Sequence, residues 1–209
     1  MNDIDNWYFP RLYYSRTFQQ GEVKVLFVFI DTWELVGGNA EVNGDVQTIV
    51  DAQQLRWMKD VLKTNEYDYK IVVGHYPIRS ARRETIGLVK DLLPVLVAND
   101  VDAYIFGHDH VGQHLQRDGI NYFGSGIGGR MFKGKLHYVD GLKWHKQSTL
   151  GFLSLVLTKS QMTVNMHDVH GNEESIAYTV SIPNQRNDEE NAVQIELAVR
   201  LRSSLLGDW

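Results

Sequence analysis

The stretch FGHDHVGQHL, residues 106–115, places three histidines and an aspartate directly behind an apolar run. Upstream, YKIVVGHYP ends the same way, with a short run of strand-forming residues followed by Gly74-His75. Two strands that each finish in Gly-His would present imidazoles at one edge of a sheet. Glycine suits the position, because without a Cβ it reaches positive φ and lets the chain turn sharply, aiming the next side chain into a cleft. His108 and His110 straddle Asp109, and in extended backbone such an alternating pair faces one side. Neutral imidazole is the commonest metal ligand near physiological pH, and histidine with carboxylate suits Zn, Fe or Mn better than Ca. His75, His108 and His110 are therefore the candidate metal ligands; for His75 alone, a hydrogen-bonded loop residue is the plainer reading.

Other residues are weaker candidates. Asp31 and Asp109 could serve as ligand or base, although Asp31 is better placed to cap the turn after its strand. His114 reads as an exposed strand residue, and His137, His145, His167 and His170 as surface histidines. FGSGIGGR, from Phe123 to Arg130, could bring backbone N–H groups to an anion, but its spacing is not a dinucleotide fingerprint and a plain flexible loop explains it as well. Arg79, Arg82 and Arg83 follow GHYP and could draw a phosphate to the cleft mouth; a solvated loop is the reading favoured over that one.

The elements that must hold these residues are legible in the periodicity. YYSRTFQQGEVKVLFVFIDT reads as two β runs around a Gln20-Gly21 turn, the second too apolar for an exposed edge and so central. TWELVGGNAEVNGD reads as a loop. DAQQLRWMKDVLKTN opens on an N-cap candidate, Asp51, and sets Leu55, Met58, Val61 and Leu62 on one helical stripe. GLVKDLLPVLVAND is a second helix that Pro94 must kink or divide. INYFGSG, GFLSLVLT, QMTVNMHDV and SIAYTVSI make the second half mostly β. Past Pro183 a polar linker, NQRNDEEN, leads to the alternating AVQIELAVRLR, an extra strand, so the division expected is 1–183 and 184–209.

Composition narrows the function classes. A chain of 209 residues with 43% hydrophobic content suits one globular domain with a tail. A net charge of -5 without a basic stripe argues against nucleic acid as a partner. No apolar stretch is long enough to span a bilayer, and MNDIDNWYFP lacks the regions of a signal peptide. The absence of cysteine removes disulfides, thiolate metal sites and cysteine nucleophiles.

GHYP followed by GHDH, with FVFIDT upstream, QLRWMKDVL between and GSGIGG downstream, resembles the purple acid phosphatase branch of the calcineurin-like metallophosphoesterases, in particular the tartrate-resistant type. The resemblance runs from Trp7 to Ile182. It implies an α/β (α+β) fold, a two-sheet β sandwich flanked by helices, and hydrolysis of phosphate monoesters at a dinuclear centre pairing Fe with Fe, Zn or Mn. On that pattern His75 and His108 would bind the divalent metal and His110 the ferric ion, and a metal-bound hydroxide would attack phosphorus. The family's D-x-G, GD-x-x-Y and GNHD motifs do not occur here, and the chain begins after the place of GNHD. The ligand set implied is incomplete, the N-terminal half of the fold is expected to be missing, and the isolated chain should turn over little substrate. A sheet edge left uncovered would then await that half or a partner chain. A non-catalytic scaffold built on the same fold is the alternative. Relatives of this kind are usually secreted or lysosomal, and no Asn-x-Ser/Thr acceptor accompanies that expectation here.

Overall fold

The computed structural model describes residues 8–36, 52–136, 138–186 and 195–197. Its first two strands, β1 (Tyr14–Gln20) and β2 (Val23–Phe29), form an antiparallel hairpin. The turn passes through Gly21 at φ 57°, a left-handed conformation that costs glycine little. β1 is largely exposed and forms one sheet edge. β2 lies between β1 and a parallel neighbour, and its residues alternate between two cores: Leu26 and Val28 enter one, Val23, Val25 and Phe27 the other. Burial on both faces is why this strand is apolar throughout instead of alternating.

Short parallel strands β3 (Tyr69–Val73) and β4 (Ala103–Phe106) follow, then β5 (Gly112–Arg117), β6 (Ile120–Ser125) and β7 (Leu142–Lys146). Together they make a seven-stranded sheet in the order β1-β2-β3-β4-β6-β5-β7, with β2, β3, β4 and β6 parallel. A second sheet contains β8 (Leu150–Leu157), β9 (Gln161–His170), β10 (Glu173–Pro183) and β11 (Ile195–Leu197), in the order β10-β9-β8-β11. Inward residues of the two sheets, among them Phe27, Ile71, Phe123, Leu155 and Val164, share one core. The opposite face of the larger sheet packs on the helices through a second core. The mixed α/β sandwich expected from the sequence is therefore present, with layers of helix, sheet and sheet.

The segment expected as a loop after β2 begins instead with a helical turn, α1 (Thr32–Leu35), because the Asp31 carboxylate accepts hydrogen bonds from the amides of Trp33 and Glu34. α2 (Ala52–Leu62) buries Met58 and Leu62, and also Gln54, whose amide side chain pairs with the Asp31 backbone. Asp51, the cap candidate for α2, lies outside the described residues. Pro94 does divide the second helical stretch. Lacking an N–H, it cannot complete the α-helical ladder, and the turn before it, Leu88–Leu92, widens to π geometry before α3 (Leu93–Val97).

A buried lysine ties these elements together. Lys70 of β3 is fully buried, and its ammonium donates to the Leu62 carbonyl at 2.8 Å, the Asn99 carbonyl at 2.9 Å and Asn65 Oδ1 at 3.1 Å. It thus satisfies the last carbonyl of α2 and one just beyond α3 at once. Close by, Arg186 Nη1 donates to both carboxylate oxygens of Asp102 at 2.7 and 2.8 Å, anchoring the chain after β10 to the start of β4.

Two histidines expected at the surface are buried instead. His114 lies on β5 between the sheets, with Nδ1 2.9 Å from the Tyr178 hydroxyl and Nε2 3.2 Å from Asn121 Oδ1. His167 of β9 pairs through Nε2 with Ser154 Oγ at 2.8 Å and stacks on Phe152. Their neighbours along the chain gave no hint of burial, because both are covered by residues from other strands. His145 and His170 are exposed as expected, and His137 lies outside the described residues.

Candidate functional site

The parallel strands end at one edge of the larger sheet, the edge at which open α/β sheets bind ligands. There the hydrogen bonding of β3 and β4 continues beyond the strands: the Gly74 amide donates to Ile105 O and the Gly107 amide to His75 O, both at 3.0 Å. The Thr32 hydroxyl accepts from the amides of His75 and Tyr76 at 3.1 and 3.0 Å, joining α1 to the same corner. This backbone arrangement sets two imidazoles side by side. His108 Nδ1 lies 3.4 Å from His75 Nε2, and the Tyr76 ring packs on His108 at 4.5 Å.

The glycines work differently from the expectation. Neither Gly74 nor Gly107 has positive φ; the left-handed residues are His108 at 58° and His110 at 50°. Gly74 is needed for space, since a Cβ there would lie 2.4 Å from Tyr104 Oη and 2.7 Å from Thr32 Cγ2. The left-handed backbone also removes the premise that His108 and His110 alternate along extended chain. Of the three histidines, the two placed side by side are His75 and His108. Gly126, in the glycine-rich loop after β6, packs on this turn so closely that a Cβ would lie 2.9 Å from His110 N. That loop supports the histidine segment from behind.

The surroundings of His108 and His110 disfavour their protonated forms. Burial, then the positive charge of Arg83, pushes His108 down to about 4. Burial also lowers His110, followed by Arg130 and Arg82. Between the two histidines, Asp109 is completely buried, and neither carboxylate oxygen accepts a hydrogen bond. Its neighbours are cations: Arg82 Nη1 at 3.5 Å and Arg83 Nε at 3.7 Å from Oδ1. The solvated-loop reading of the arginines therefore fails. Arg82 stacks on Phe132 at 4.0 Å, and Arg79 is buried against Asp118, 2.8 Å away, and Glu84. The adjacent arginines and the acid between two histidines were visible in the sequence, but only the fold brings them together. Asp31 caps α1, as anticipated.

The donor set can be tested against a metal. Nitrogens bound to one tetrahedral zinc at about 2.0–2.1 Å stand roughly 3.3 Å apart. The His75–His108 separation of 3.4 Å matches that spacing, and both rings have nitrogens facing each other. Two imidazoles thus fit two positions around a single cation. No group of three or more histidine or carboxylate ligands is gathered among the described residues, so a dinuclear centre is not fitted by them.

Comparison with known proteins agrees with this architecture. Residues 2–112 match the family model described as calcineurin-like phosphoesterase. The chain is 33% identical over 182 residues to tartrate-resistant acid phosphatase type 5 of Sus scrofa, covering 79% of this chain and 54% of that protein. It is 34% identical over 184 residues to the Homo sapiens protein of the same name, covering 79% and 56%. Against Purple acid phosphatase 4 of Arabidopsis thaliana, identity is 37% over 117 residues, 53% of this chain and 34% of that one. The chain thus spans about half the length of the tartrate-resistant relatives. Among solved structures, the one titled GAP50, the anchor in the inner membrane complex of Plasmodium, superposes with a TM-score of 0.69 at 22% identity, covering 87% of this chain and 57% of that one. Purple acid phosphatase PPD1 from yellow lupin gives 0.59 at 12% identity, covering 82% and 32%. Both show the shared fold.

Proposed function

The chain belongs to the calcineurin-like phosphoesterase family, and on that premise we propose that it forms the histidine-bearing part of a phosphate monoesterase site. His75 and His108 are two ligands of one divalent cation in this reading, and His110 would serve a second ion only together with ligands from outside the described residues. The observation that carries it is the pair of imidazoles whose nitrogens lie 3.4 Å apart at the carboxyl edge of the parallel strands. The chemistry a cation supplies when bound there is Lewis-acid polarisation of a phosphoryl oxygen. The chain's own contribution is orientation. Thr32 fixes the backbone at His75, Tyr76 packs against His108, and Gly126 supports the turn that carries His110. Residues 1–183 form the catalytic unit in this proposal, and 184–209 an appended linker and strand.

Two imidazoles do not complete a metal's shell, so the 209-residue chain by itself should bind metal weakly and turn over little. That same shortfall favours a second reading, a non-catalytic scaffold on the phosphatase fold, like the anchor that GAP50 is named for. The test is to load the chain with zinc and iron, measure metal per chain, and follow hydrolysis of an aryl phosphate, with His108→Ala as control. Zinc binding lost in His108→Ala supports the ligand assignment. Equal metal binding by both proteins would overturn it. Turnover restored by supplying the N-terminal portion of a relative in trans would favour the enzyme over the scaffold.

A further inference from the structure

Residues 130–146 carry five lysines and arginines against one aspartate, a balance of +4 in a chain whose total is -5. The rest of the chain therefore carries -9. Averaged over the sequence this asymmetry disappears, but the fold gathers the described residues of the segment into one lobe at the end of the larger sheet. The Ser148 amide donates to Phe132 O at 3.2 Å and closes the excursion at its base. β7, the last strand in the sheet order, forms the inner side of the lobe and pairs with β5 through Gln113↔His145 and His114↔Trp144. Trp144 stacks on Tyr178 at 4.9 Å, which fixes the lobe to the second sheet as well.

The charges on this lobe are largely unanswered. Lys146 pairs with Asp168, and the lone acid, Asp140, faces Arg117 of β5 at 3.8 Å. Arg130, Lys133, Lys135 and Lys143 are exposed, and among the described residues none of the four forms an ion pair. Met131 and Tyr138 stand in solvent beside them, Tyr138 to 85%. Lysines on an edge strand ordinarily keep other chains from pairing with it, which accounts for Lys143 and Lys146. That role does not extend to Arg130, Lys133 and Lys135, which lie off any strand, or to large apolar side chains left exposed among them.

We propose that this lobe docks the protein on an anionic lipid surface, with Arg130, Lys133 and Lys135 against the headgroups and Met131 and Tyr138 entering the interface. Long cationic side chains with apolar stems, and a tyrosine with an apolar ring and a polar tip, are the groups that settle at headgroup level. Cations alone would serve any polyanion. Met131 and Tyr138 select the bilayer, because burying them is favourable only where an apolar interior lies behind the charges. The acidic remainder of the chain is repelled by the same surface, so the lobe must approach it first. The proposal requires neither the metal nor a phosphatase activity.

The test is co-sedimentation of the full 209-residue chain with vesicles of phosphatidylcholine alone, and of phosphatidylcholine with about a third phosphatidylserine. The wild type should bind the mixed vesicles at least about tenfold more tightly than the neutral ones, and the difference should shrink as salt is raised. Lys133→Gln with Lys135→Gln should weaken binding to the mixed vesicles about tenfold or more, whereas Lys133→Arg with Lys135→Arg keeps the charge and should keep the binding. Lys59→Gln with Lys63→Gln makes the same charge change at exposed positions on and just after α2, and should weaken binding by less than about twofold. Met131→Ser with Tyr138→Ser should weaken it about fivefold. Equal binding to both kinds of vesicle, or an equal loss in the α2 control, would overturn the proposal. So would heparin binding as tight as vesicle binding together with no loss in the Met131, Tyr138 variant, which would make the lobe a site for soluble polyanions.

Discussion

At the scale of single residues, close approach matters more at this site than torsional freedom. Gly-His pairs can be read from sequence, but the reason for Gly74 cannot, because the atoms that exclude a Cβ belong to Tyr104 and Thr32, far away in the chain. Gly74→Ala should therefore cost about 1–3 kcal/mol by overpacking, measured as a shift in the urea midpoint. Adding Tyr104→Phe removes the nearest clashing atom, so the double variant should recover part of the loss despite giving up the hydrogen bond from Tyr104 to Tyr76 O at 2.7 Å. If the two losses simply add, the clash is not what requires glycine. The same limit explains His110. Its spacing from His108 was visible, but the left-handed backbone at both residues was not, since the turn that carries them is packed against Gly126. The His75–His108 pairing was the legible part, because two strands ending alike in adjacent parallel positions must bring their next residues together.

Elements are held by polar groups buried where their ends meet. Lys70 satisfies three oxygens around the ends of α2 and α3, and burial lowers its proton affinity without removing these acceptors. Lys70→Met would leave them unpaired, and the expected cost is about 3 kcal/mol by chemical denaturation. A loss below about 0.5 kcal/mol would show that the helix ends are satisfied in another way. His114 links the two sheets through Tyr178 of β10 and Asn121 of β6, stacks on Phe123, and has Lys143 of β7 as its nearby cation. Burial first, and Lys143 in addition, push it down to about 4, with the Asn121 hydrogen bond acting the other way. The folded state thus holds His114 neutral while an unfolded histidine takes a proton near pH 6.5. The stability this provides is complete above about 6.5 and is lost as pH falls towards 4, on the order of 3 kcal/mol. His114→Gln should flatten the stability profile between pH 6.5 and 4, and an unchanged slope would assign the acid sensitivity elsewhere. Hydrophobic periodicity located α2, the division at Pro94 and most strands, because these follow from local pattern, but not β7, whose LKWHK carries no apolar run. It missed α1, which four residues and one aspartate cap suffice to form, and it put His114 and His167 at the surface.

At the scale of the molecule, strand order and layering exceed what periodicity can state. The apolar character of β2 indicated a central strand, but the pairing of β6 with β4 and the return of β5 beyond it follow from long-range register alone. Similar reasoning applies to the last described strand. β11 pairs antiparallel with β8 through Ile195↔Leu157, Glu196↔Val156 and Leu197↔Leu155, covering what would otherwise be an open edge. An open edge of unpaired amides exchanges with solvent and recruits other chains. A chain ending at Arg186 keeps the ion pair with Asp102 and loses the strand that pairs with β8. Its β8 amides should exchange at least about tenfold faster than in the full chain, with β3 and β4 protected as before, and it should self-associate at lower concentration. Equal exchange in β8 would mean that β11 contributes no lasting protection. Faster exchange throughout both sheets would mean that the strand supports the whole sandwich, and the boundary at residue 183 would then no longer separate a folded unit from an appendage.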